Sequence, residues 1–138
     1  MPELRKDPVV GTWVIISAER AARPTEFSRR SDAPQEGLCP FCPGHEDKTP
    51  REVHVAGRPA DGAPNTPGWK VRVVPNRYPA LMVEGELQRR GEGLYDRMTG
   101  TGAHEVIIET PDHKKGFPEL TPSEVADVLL AYQARIID

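Results

Sequence analysis

Proline and glycine interrupt this 138-residue chain so often that a helical bundle is excluded, with 15 prolines and 12 glycines in its length. Proline removes a backbone donor and fixes φ, and glycine weakens any regular element, so the expected chain is loop-rich and built from short strands. One stretch escapes this punctuation. Thr121-Pro122-Ser123-Glu124 is a helix start. Thr121 can cap, Pro122 suits the first helical position, and Glu124 completes a capping box. Val125, Val128, Leu129, Tyr132 and Ile136 then recur at helical spacing on one face. No Gly or Asn follows Ile136, and Asp138 opposes the helix dipole there, so the sequence reads as cut inside an element.

The remaining pattern is β. Residues 13–17 read as a strand, with Val9-Val10 in a shorter one before it and Gly11-Thr12 as the turn between them. Further strands are expected at 52–55, at 70–74, at 80–83 after a break between Pro75 and Pro79, and most clearly at 103–109. Residues 18–37, 57–68 and 86–102 read as polar loops. The predicted fold class is α+β: a mostly antiparallel sheet with the C-terminal helix packed on one face, in one domain over residues 1–138.

Charge narrows the function classes. A net charge of −3, from 18 basic and 21 acidic residues, argues against bulk electrostatic binding to nucleic acid or to an anionic membrane. No apolar run approaches the length of a membrane span, and the first residues lack the apolar core of a signal peptide. The default location is cytoplasmic, where two cysteines read better as thiols or metal ligands than as a disulfide.

Those cysteines lie in Cys39-Pro40-Phe41-Cys42-Pro43-Gly44. Two thiolates at this spacing can hold one metal ion, typically zinc, which in structural sites takes four ligands. There is no second C-x-x-C, and four histidines are available as further ligands, His45, His54, His104 and His113. His45 is within local reach, and His113 sits in a turn directly after a strand. The bland alternative is an inert pair of thiols. A redox dithiol is disfavoured because no helix pattern follows Cys42. Arg20, Arg23, Arg29 and Arg30 lie in a loop after a strand, and guanidinium forks match phosphate oxygens, though a solvated basic loop fits as well. Asn76 and Tyr78 sit in the proline-broken strand, where a break can aim side chains at a ligand or simply be a bend. His104 and Glu105 alternate sides of a strand. There is no G-x-S-x-G, Walker A loop or dinucleotide fingerprint.

In order, these segments resemble the N-terminal part of galactose-1-phosphate uridylyltransferases, a branch of the histidine-triad-like nucleotidyltransferases. The resemblance runs through Leu4-Arg5-Lys6-Asp7-Pro8, Trp13-Val14-Ile15-Ile16-Ser17 and Arg20 with Arg23-Pro24. It continues through the cysteine motif, Val74-Pro75-Asn76-Arg77-Tyr78-Pro79-Ala80-Leu81 and Gly102-Ala103-His104-Glu105-Val106-Ile107-Ile108-Glu109. It closes with Pro111-Asp112-His113 and Pro118-Glu119-Leu120. The resemblance implies ping-pong nucleotidyl transfer. A histidine would attack the α-phosphorus of UDP-glucose, and galactose 1-phosphate would then attack the uridylyl-histidine. It implies Cys39, Cys42 and His113 as three ligands of a structural zinc. Arg20 and Arg23 would lie near the nucleotide phosphates, Asn76 would contact the nucleotide, and Phe41, Tyr78 and Val106 would form the base and ribose pocket. A homodimer is implied for a full-length enzyme.

The departures are equally specific. The family's His-Pro-His nucleophile motif lies beyond the helix that starts at Thr121, and this sequence contains no His-x-His. No catalytic residue is therefore assigned. The expectation is an incomplete histidine-triad-like domain, truncated before the catalytic strand, lacking the fourth zinc ligand and inactive alone. His45 stands where relatives often carry Asn and could complete the metal site locally. Two alternatives share most of these residues: a relative acting on ADP-glucose or a dinucleoside polyphosphate, and a non-enzymatic zinc module used for binding or assembly.

Overall fold

Short elements are what the proline and glycine spacing permits, and short elements form. The computed structural model describes residues 1–22, 38–59 and 61–138. Among them are strands β1 (Glu3–Lys6), β2 (Trp13–Ile16), β3 (His54–Ala56), β4 (Val71–Pro75), β5 (Arg89–Glu92), β6 (Tyr95–Thr99) and β7 (Glu105–Ile108), and helix α1 (Pro122–Ile137). The described residues divide into two compact units. One lies within Met1–Pro34 and Tyr78–His104, the other within Gln35–Arg77 and Glu105–Asp138. Both units are antiparallel in their strand ladders, and with the single α-helix they make an α+β fold.

The first unit is a four-stranded sheet of order β2-β1-β6-β5. Its first hairpin departs from the sequence reading. β1 lies earlier than expected, and Val9 and Val10 are not in a strand but in the connection, where Val9 is 89% exposed. Asp7 causes this. Its carboxylate accepts the N–H groups of Val9 (2.7 Å) and Val10 (3.2 Å), and its carbonyl accepts that of Gly11 (2.9 Å). An aspartate closing its own turn outcompetes the weak strand preference of two valines. β5 and β6 fall where a polar loop was expected. Gly93, at φ 62°, opens a two-residue turn that suits a hairpin. Arg89-Arg90-Gly91-Glu92 offers no apolar alternation because all four residues are exposed, and ladder bonds rather than burial define the strand. The strand expected at 80–83 reduces to a single bridge between Met82 and Thr101.

The second unit is a three-stranded sheet of order β3-β4-β7 with α1 on one face. β4 is central and buried on both faces, which explains its continuous Val71-Arg72-Val73-Val74 run. On the helix side, Val71 packs with Leu120, Val128 and Ala131, joined by Ala56, Ile107, Val125 and Tyr132. On the other side, Trp69, Val74 and Ile108 pack with Val55 and Val106. Each fully buried valine contributes roughly 1.5–3 kcal/mol. The helix begins as predicted: Thr121 Oγ1 accepts the Glu124 N–H (3.4 Å) and Glu124 accepts the Thr121 N–H (2.7 Å). Its buried face is rotated from the predicted one. Leu129 is 54% and Ile136 84% exposed, while Ala131 is buried and Arg135 is held by Glu105 at 2.7 and 2.8 Å. An ion pair on the sheet side takes a place that hydrophobicity alone would have given to isoleucine.

Under the opposite face lies a buried polar network. Arg72, 1% exposed, donates from Nε to Glu52 (2.9 Å) and from Nη2 to Asn65 Oδ1 (3.0 Å) and the Glu46 carbonyl (3.4 Å). Arg58 also pairs with Glu52, and Asn65 Oδ1 accepts the Glu52 N–H at 3.0 Å. Burial pushes the Glu52 carboxyl up, but the bonds from Arg58 and Arg72 outweigh it and hold the group below its ordinary value. Removing Glu52 strands two buried guanidinium groups. Glu52→Ala is expected to destabilise the chain by about 3–5 kcal/mol in urea unfolding, and a loss under 1 kcal/mol would contradict that account.

The helix cap is a second test. The Lys115 ammonium, then the Thr121 bonds, lower the Glu124 carboxyl to about 2. The cap's contribution is complete above the ordinary glutamate value of about 4.3 and is lost as pH falls toward the folded value. Glu124→Gln is expected to lower thermal stability at pH 7 and to lose less than the parent between pH 5 and pH 2. Parallel melting curves for the two proteins would show that the carboxylate does not act this way.

Candidate functional site

The cysteine turn is shaped by its own backbone. The Cys42 N–H donates to the Cys39 carbonyl (3.3 Å), and the His45 N–H donates to the Cys42 carbonyl (3.1 Å). Gly44 follows at φ 90°, a left-handed conformation that glycine adopts without strain. The result brings two half-buried thiols to one side of the turn. His113 arrives from the loop after β7, and its Nδ1 lies 3.4 Å from Cys42 Sγ.

One donor atom each from Cys39, Cys42 and His113 all lie within 4.8 Å of one another. This spacing fits a metal ion. Zinc–sulfur and zinc–nitrogen legs of about 2.3 and 2.0–2.1 Å at a tetrahedral angle put S and N about 3.6 Å apart. The group is soft thiolates plus imidazole, the donor set that zinc prefers. Burial and then the neighbouring Cys39 raise the Cys42 thiol above its ordinary value. His45 does not join them. Its ring nitrogens are not among the converging donors, and its Nδ1 donates to the Cys39 carbonyl oxygen at 2.8 Å, which braces the turn.

The residues expected at a nucleotide distribute as follows. Arg20 is half-buried in a short 3-10 turn (Glu19–Ala22), with Nη1 3.3 Å from His104 Nδ1. The same nitrogen of His104 accepts the Ala80 N–H at 2.8 Å, which puts the hydrogen of the neutral ring on Nε2. Arg23, Arg29 and Arg30 lie outside the described residues. Phe41 is exposed at the tip of the cysteine turn, and Asn76 is half-buried directly after β4. Val106 packs on the Trp69 side of β7, away from the helix, and Tyr78 is half-buried in the first unit. Glu46 and Trp69 escaped the sequence reading: Glu46 is buried and takes the Trp69 indole N–H at 2.8 Å. Glu46 stands in a polar stretch of sequence, and only its partner 23 positions away reveals its place.

The three-donor cluster makes a direct prediction. Cys39→Ser is expected to lower both metal content and melting temperature, checked by elemental analysis and calorimetry. Parent-level metal in the variant would exclude Cys39 as a ligand.

Known proteins similar to this chain are enzymes of one family. ADP-glucose phosphorylase from Arabidopsis thaliana is 41% identical over 140 residues, covering 98% of this chain and 38% of the relative. Galactose-1-phosphate uridylyltransferase from Haemophilus influenzae is 25% identical over 141 residues, covering 98% of the chain and 37% of the relative. The crystal structure of the Arabidopsis thaliana ADP-glucose phosphorylase with bound ADP-glucose superposes with a TM-score of 0.54 at 36% identity, over 99% of this chain and 37% of that one. The chain thus spans well under half the length of these relatives. Residues 1–138 match the family described as galactose-1-phosphate uridyl transferase, N-terminal domain, and the chain belongs to that family.

Proposed function

We propose that this chain supplies the nucleotide-binding and metal-clamp part of a nucleotidyltransferase whose substrate is a nucleoside diphosphate hexose. The observation that carries the proposal is the pairing of the family match over residues 1–138 with the convergence of Cys39, Cys42 and His113. The ion is zinc and its role is structural: it would tie the cysteine turn to the loop after β7. Phe41 and Val106 flank this region in sequence and serve the base and ribose, with Tyr78. Asn76 contacts the nucleotide. Arg20 and Arg23 neutralise phosphate charge, which is the main thing a protein contributes when a phosphoryl group changes partners.

The hexose donor is ADP-glucose. The supporting observation is the 41% identity to ADP-glucose phosphorylase against 25% to the Haemophilus uridylyltransferase. UDP-glucose with galactose 1-phosphate remains the second reading, favoured by the uridyl transferase family match. None of the four histidines stands in a His-x-His pair, so no residue of this sequence is assigned as the nucleophile, and the 138-residue chain alone is expected to turn over neither substrate. The fourth metal ligand is likewise unassigned, and a homodimer is the expected state of a complete enzyme.

Titration calorimetry of the complete protein with ADP-glucose and UDP-glucose decides the donor. Tighter binding of ADP-glucose, weakened at least tenfold by Arg20→Ala with little change in melting temperature, is the expected result. An Arg20→Ala protein that binds both nucleotides as the parent does would remove Arg20 from the phosphate site.

A further inference from the structure

Glu46 is a buried carboxylate that neither the metal ligands nor the nucleotide residues account for, and it is only 3% exposed. Burying a carboxylate is costly unless every lone pair is used well. Both of its oxygens meet neutral N–H donors. Oε2 accepts the backbone N–H of Gly44 at 2.9 Å, and Oε1 accepts the indole N–H of Trp69 at 2.8 Å. Its backbone carbonyl receives Thr49 Oγ1 (3.1 Å) and Arg72 Nη2 (3.4 Å). Gly44 is two residues past Cys42, inside the turn that presents both thiols. Trp69 belongs to the packed core beside β4. The Glu46 carboxylate offers one acceptor oxygen to each of these two N–H groups.

From this geometry we infer that Glu46 is a positioning residue for the metal: it fastens the Cys39–Cys42 turn to the sheet so that both thiols are presented to the ion. The inference rests on the metal reading above and adds a residue to it. Groups bonded directly to the ligands set ligand orientation, and their loss typically weakens metal affinity 10- to 100-fold; Glu46 acts one backbone link further out, through Gly44. Here the path is short: Trp69 indole to Glu46 carboxylate to Gly44 amide to the donor turn. His45 braces the same turn from the other end through the Cys39 carbonyl at 2.8 Å.

The test uses the 138-residue chain and Zn²⁺ alone, with the dissociation constant read by competition against a chromophoric chelator. Glu46→Ala is expected to weaken Zn²⁺ binding 10- to 100-fold. Glu46→Gln should fall between Glu46→Ala and the parent, because its carbonyl can still accept the Gly44 N–H while its amide faces the Trp69 donor. Glu105→Ala breaks the pair with Arg135 and serves as the stability control: it should lower the melting temperature and leave Zn²⁺ affinity at the parent value. The inference is overturned if folded Glu46→Ala binds Zn²⁺ as the parent does, or if Glu105→Ala weakens binding equally. If Glu46→Ala does not fold, Glu46→Gln decides, and a dissociation constant within twofold of the parent overturns it. Cys42→Ser separates the two levels: parent affinity there defeats the metal reading itself, whereas lost affinity there with unchanged Glu46 variants defeats only the role of Glu46.

Discussion

Arg72 sits in the middle of β4 with its charge out of water, and the second unit is arranged around satisfying it. An arginine cannot shed its proton in a protein interior, so its donors must find acceptors. They find Glu52, Asn65 and the Glu46 carbonyl, drawn from three separate segments. Each acceptor then fixes more of the chain. Glu52 also holds Arg58, Asn65 also receives the Glu52 N–H, and the Glu46 backbone leads straight into the cysteine turn. Such a network is weak as a source of net stability, because desolvation offsets most of the attraction. Its effect is to specify which loop lies under which strand.

The Cys39, Cys42 and His113 donors are likewise assembled from distant pieces. Cys39 and Cys42 come from a turn before β3, and His113 comes from the loop after β7. β7 pairs with β4 in a defined register, Ile107 opposite Val73 and Val106 opposite Val74. A slip of one residue would exchange the faces of Val106 and Ile107, putting the residue of the Trp69 cluster under the helix. The register therefore carries the imidazole to the thiols and keeps Val106 on the face away from α1. On the helix side of this sheet, Arg135 pairs with Glu105 and the Tyr132 hydroxyl donates to Glu109.

Much of the local structure was legible from residues. The capping box at Thr121, the cysteine turn, the β4 and β7 runs and the family resemblance were all read from short motifs, because each is governed by neighbours in sequence. The misreadings share one cause. Val9 and Val10 lost to the Asp7 turn, the β5–β6 hairpin carries no apolar alternation, and the face of α1 was shifted by an ion pair to a strand 30 positions away. In each case a polar interaction decided what hydrophobic spacing alone could not.

By itself the sequence determined the class of the protein, its α+β composition, the thiol pair and the identity of the helix, since local backbone preferences and motif chemistry do not wait for the fold. Spacing left more than one histidine open and the resemblance implied His113, but only the tertiary structure shows its imidazole beside the thiols. His45 is near them in sequence yet is turned to the Cys39 carbonyl, while His113, 71 positions from Cys42, is delivered by strand pairing. It alone also revealed that Glu46 is buried. Proximity along the chain constrains a turn, but donors converge on an ion only where ladder register and buried charge bring remote segments together.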